Sequence, residues 1–103
     1  MAYRTPADVK EEFRAYPRRA LILTTVDHET RAVNAHLTNL ETLIGEKDAT
    51  YDYGHFSDPA GDWLVVHALT LPGNSDAGQV ASKAFQEFGH FHAVMFVGVA
   101  GSL

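Results

Sequence analysis

The sequence predicts an α/β fold, a layered mixed β-sheet with flanking helices. Three observations carry this. Apolar runs of strand length at 19–25, 63–71 and 91–99 alternate with stretches whose apolar residues recur at helical spacing. The segment 50–71 breaks that alternation with two strand-like runs around the turn cluster SDPAGD, so a hairpin interrupts the βα units. With 103 residues and a hydrophobic share of 46%, the chain has material for one modest core.

The elements follow in order. TPADVKEEFRAY reads as a helix: Thr5 suits the N-cap, Pro6 the first helical position, and Asp8 the positive helix end. Val9, Phe13 and Tyr16 share one face, and Pro17 ends the helix. Residues 1–18 are thus expected to form an N-terminal helical extension to a unit spanning 19–103. RALILTT, 19–25, is a buried strand. DHETRAVNAHLTNL, 27–40, is expected as a helix capped by Asp27, with Val33, His36, Leu37 and Leu40 on one stripe and Gly45 closing it. TYDYGHF, 50–56, and WLVVHALTL, 63–71, form the hairpin. PGNS, 72–75, is a loop, and DAGQVASKAFQEF, 76–88, a helix stopped by Gly89. FHAVMFVGV, 91–99, is apolar almost throughout, as a central parallel strand requires. A right-handed crossover makes 19–25 and 91–99 parallel neighbours.

Composition narrows the function. The net charge is −5 with mixed signs, which argues against a basic face for nucleic acid. The absence of cysteine excludes disulfide and thiolate chemistry and fits a cytoplasmic protein. MAYRTPADVKEEF has no apolar signal core, and the longest apolar run, 93–100, falls short of a membrane span, so no membrane partner is expected. The six histidines lack ligand spacing, so no metal is expected. His67, inside an apolar strand, reads as a hydrogen-bonded core histidine. GQVASKA lacks the Gly-Lys-Ser/Thr of a nucleotide P-loop, and no cofactor is expected.

Ligands on such sheets bind outside the carboxyl ends of the strands. TTVDHE, LPGNSDAG and GVAGS follow the first, third and last strands, and each mixes small with polar residues. In this order, a strand leading into an acidic helix start, a PGN loop before a small-residue helix, and a strand ending in FVGVAG resemble the N-terminal half of the nucleoside phosphorylase and nucleosidase superfamily. The likeness covers about residues 19–103 and is closest to the methylthioadenosine/S-adenosylhomocysteine nucleosidase type.

That resemblance implies a purine nucleoside or nucleotide as substrate and hydrolysis of its base–ribose bond. It implies that Glu29 orients the attacking water, with Thr25 and Val26 lining the pocket. It implies that Gly98, Val99, Ala100 and Gly101 run near ribose and water, and that Gly73 and Asn74 face the ligand. The family often has Ser or Thr where Val99 stands and Gly where Ser102 stands. Its second acidic pair comes from a C-terminal half, so the resemblance implies a truncated, inactive fragment that forms a homo-oligomer or needs a companion chain or domain.

The chemistry is that of glycoside hydrolysis applied to a nucleoside: positive charge builds on the sugar, the leaving base takes a proton, and water attacks the other face. Glu29 is the one carboxylate in position to help; a first-turn glutamate favoured by the helix dipole is the competing reading. A phosphorylase needs a cationic phosphate cradle. The acidic turn TTVDHET repels phosphate, which favours hydrolysis over phosphorolysis. A non-catalytic interaction or oligomerisation module with the same fold is the alternative.

Overall fold

The computed structural model describes residues 3–25, 27–46, 49–69 and 74–97, with 27–30 and 74–77 described by backbone alone. A 3-10 turn, Pro6–Val9, leads into α1, Lys10–Ala15. Then follow β1 (Arg19–Thr24), α2 (Asp27–Asn34), β2 (Thr38–Ile44), β3 (Thr50–Asp58), β4 (Gly61–Leu69), α3 (Asn74–Phe88) and β5 (Ala93–Val97). The five strands form one mixed sheet in the order β2-β3-β4-β1-β5. β1 is parallel to β4 and to β5, while β2, β3 and β4 run antiparallel. The α/β class, the parallel pairing of the first and last strands, and the central hairpin are as the sequence predicts.

The first helical segment starts as its residues require. The Thr5 hydroxyl accepts from the Asp8 N–H at 3.3 Å, and the Asp8 carboxylate accepts from the Thr5 N–H at 2.8 Å. This reciprocal capping box satisfies two otherwise unpaired donors. At the other end of α1, the Arg19 guanidinium donates to the Phe13 and Arg14 carbonyls and lies over the Phe13 ring. Val9 and Phe13 are buried in the core that the sheet shares with α3.

That core lies on one face of the sheet. Leu21, Leu23, Leu64, Val66, Tyr51 and Tyr53 meet Phe13, Phe88 and Phe91. Phe88 sits at the centre, its ring 5.5 Å from Phe13 and 5.0 Å from Tyr51. Such tilted and edge-on pairs each add about 0.5–1.5 kcal/mol beyond area burial. The tyrosine hydroxyls leave the core for carboxylates: Tyr51 donates to Glu87 at 2.5 Å and Tyr53 to Glu12 at 2.6 Å. Burial, reinforced by those carboxylates, pushes both phenol pKa values up.

Two expectations are corrected. The helix expected over 27–40 ends at Asn34, and a strand, β2, starts at Thr38. Hydrogen-bonded turns carry the chain from Asn34 to Leu37, which keeps the helical spacing of Val33 and Leu37. Asn39 then takes a left-handed backbone (φ 53°), which a helix cannot accommodate, and Leu43 enters the core from a strand. Gly45 accordingly follows a strand and not a helix; its N–H donates to the Ala49 carbonyl at 2.6 Å. The second correction concerns the last strand. β5 spans Ala93–Val97 and lies at the edge of the sheet, not its centre. Val94, Met95 and Phe96 are 48%, 52% and 52% exposed. Among the described residues no helix is long and apolar enough to cross a membrane.

Candidate functional site

Three parallel strands lie side by side in the order β4-β1-β5. Their registers align Thr24 with Leu69 on one side and with Val97 on the other. The described parts of all three strands therefore reach the same level. In the sequence, TTVDHE, LPGNSDAG and GVAGS follow these three strands. α2 starts three residues beyond Thr24 and α3 five residues beyond Leu69.

A buried polar chain lies next to these ends, on the sheet face opposite the aromatic core. His67 is 1% exposed, in a strand otherwise filled by Leu64, Val65, Val66 and Ala68. Its Nε2 lies 2.8 Å from the Thr24 hydroxyl and its Nδ1 2.9 Å from the Asn34 side-chain oxygen. The Asn34 amide donates to Asp52 at 3.0 Å, and the Thr42 hydroxyl reaches the same carboxylate at 3.5 Å.

The donors and acceptors can be assigned from the carboxylate inward. The Asn34 NH₂ donates to the Asp52 carboxylate, so the Asn34 carbonyl faces the ring. Nδ1 then carries the imidazole proton, and Nε2 accepts from Thr24. Burial pulls the His67 pKa below its ordinary value; Asp52, 3.9 Å from Nδ1, pulls the other way more weakly. Burial therefore favours the neutral ring. The expectation of a hydrogen-bonded core histidine at 67 agrees with this arrangement.

The same face carries an apolar groove of about 370 Å³ between α2 and the strands. Ile22, Val33, Leu37, Trp63, Val65 and Met95 are among the residues that line it. The Arg18 guanidinium stands 5.9 Å over the Trp63 ring. Gly54 of β3 makes room for the chain after α2: a Cβ there would stand 3.2 Å from Leu37 and Leu40 side-chain carbons.

No family model, curated protein or solved structure matches this chain. The site is therefore judged on its own residues. Thr25 follows β1 directly and is half-buried; Glu29 falls in the first turn of α2, and Asn74 is the first residue of α3. Val26, Gly73, Gly98, Val99, Ala100 and Gly101 lie outside the described residues, and the side chains of Glu29 and Asn74 are likewise outside. Among the described residues no three His, Asp or Glu side chains converge as a metal site. Sequence reading missed Thr24, Asn34 and Asp52 as partners of His67. One signal was available: a two-residue turn at Pro59 and Ala60 pairs Asp58 with Gly61, and counting outward pairs Asp52 with His67.

Proposed function

We propose that this chain supplies part of a nucleoside or nucleotide N-glycosidase site, hydrolysing the base–ribose bond in the complete protein. The observation that carries the reading is the alignment of Leu69, Thr24 and Val97 on the adjoining parallel strands β4, β1 and β5. Ligands of open α/β sheets bind outside such carboxyl ends. The segments leaving them carry Thr25, Val26 and Glu29, Gly73 and Asn74, and Gly98–Gly101, the residues that the family resemblance assigns to pocket and water. In this reading Glu29 orients water, the glycine-bearing backbone passes ribose, and proton donation to the leaving base comes from groups outside this chain.

The test is release of free base. Adenosine, AMP and S-adenosylhomocysteine are incubated with the chain and with the product of its complete reading frame. Adenine from the complete product, lost in Glu29→Gln, supports the reading; intact substrates in both incubations contradict it. The alternative, a non-catalytic interaction or oligomerisation module, draws on β5, an edge strand apolar on both faces and half-exposed at Val94, Met95 and Phe96. Self-association without base release would favour it.

A further inference from the structure

Thr24 is the last residue of β1 and Asn34 the last of α2. Between them lies the segment whose sequence supplies Thr25, Val26 and Glu29. Both of its ends are bonded to one ring, Thr24 to Nε2 at 2.8 Å and Asn34 to Nδ1 at 2.9 Å. We propose that His67 is a positioning residue: one buried imidazole clamps both ends of the 25–33 segment and fixes how it stands at the carboxyl ends of the strands.

Three features favour a clamp over a core histidine that merely has its hydrogen bonds met. A buried polar ring in an apolar strand needs partners for both nitrogens, a requirement valine or leucine would not bring, and here both are met by the ends of one segment. The two ring nitrogens point apart, so a single rigid plane reaches two chain positions ten residues apart, which a flexible amide side chain would hold less firmly. The orientation is also specified from outside: Asp52 fixes the Asn34 amide, which fixes the ring proton on Nδ1, which leaves Nε2 to accept from Thr24. The partners come from β1, α2, β3 and β4, so the clamp ties the hairpin to the site segment. Its catalytic consequence rests on the nucleosidase reading; the clamp itself does not.

Two measurements on the chain decide it. The first is ¹⁵N spectroscopy of the wild-type imidazole. A protonated Nδ1 and a bare Nε2 are expected, and a ring protonated on Nε2 overturns the proposal whether or not any variant folds. The second is amide hydrogen exchange in Thr24→Val, which keeps the shape and loses the hydroxyl, and in Thr24→Ser, which keeps it. Residues 27–34 should exchange about tenfold faster in Thr24→Val while α3 is unchanged, with Thr24→Ser within about twofold of wild type. Unchanged exchange in 27–34, or equal acceleration in α3, overturns it.

Adenosine hydrolysis by the complete product separates the two claims. If the wild type releases no adenine, the nucleosidase reading fails and the exchange result still decides the clamp. If it does, Thr24→Val should lower kcat about tenfold with KM within about twofold, and Thr24→Ser should restore it. An unchanged kcat alongside faster exchange overturns the positioning role.

Discussion

The two faces of the sheet are built differently. One is closed by α1 and α3 over an aromatic cluster whose polar tips, the Tyr51 and Tyr53 hydroxyls, reach carboxylates at its border. The other carries the eight-residue α2, an apolar groove and a buried polar chain from Asp52 to Thr24. Packing on the first face is dense and apolar, which serves stability. The second face buries a hydrogen-bonded polar chain beside Thr24, Leu69 and Val97 of three parallel strands. The contrast teaches that apolar packing and the buried polar chain are divided between the faces, with β1 and β4 serving both.

Four perturbations break or sharpen this division. The largest effect is expected at Phe88→Ala, which should cost about 3–5 kcal/mol in urea denaturation; Met95→Ala, on the exposed edge, should cost less than about 1 kcal/mol. Equal losses would erase the distinction between the faces.

Next comes His67→Leu, which removes the ring's hydrogen bonds with the Thr24 hydroxyl and the Asn34 carbonyl and should cost about 1–3 kcal/mol. It should also change the pH response. The His67 pKa is lowered in the folded state, so below its ordinary value of 6.5 the unfolded chain takes up the proton first. Stability is therefore full above about pH 6.5 and falls as pH drops toward the folded pKa. Thermal midpoints at about pH 7.5 and about pH 5.5 should fall more in wild type than in His67→Leu. A steeper fall in the variant would contradict the assigned direction.

Tyr53→Phe, at the border of the first face, removes one hydrogen bond to Glu12 and should cost about 1 kcal/mol in the same denaturation series. The smallest effect on the fold is expected from Met95→Lys. It should leave the denaturation midpoint nearly unchanged and abolish the self-association expected of an open apolar edge strand, read by light scattering at micromolar concentration. A monomeric wild type would remove the expectation of an oligomer.

How much of this was legible in the sequence depends on how local the cause is. The capping box at Thr5 and Asp8 was legible because four adjacent residues make it. The hairpin was legible because Asp58 anchors its turn locally, its carboxylate accepting from the Ala60 and Gly61 N–H groups. β2 was not: Val33 and Leu37 sit at helical spacing, and the turns after Asn34 extend that spacing almost to the residue where the strand begins. Only the left-handed Asn39 and pairing with β3 decide the change, and the pairing is a long-range fact. The edge position of β5 was hidden for a similar reason, since a strand apolar on both faces has the same sequence whether or not a neighbour covers it. The parallel pairing of β1 with β5 was foreseen. The clamp beside them was not, because its members come from four elements and only the register of the sheet brings them together.

The central claim is that ligand is received beside the aligned Leu69, Thr24 and Val97 of β4, β1 and β5. The most direct test is a two-dimensional amide NMR titration of the chain with adenosine. The account predicts shift changes concentrated at Thr24, Thr25, Leu69 and Val97 and at the first turns of α2 and α3, with α1 and the aromatic core silent. Changes confined to the face under α1 and α3, or a spectrum indifferent to adenosine, would contradict it.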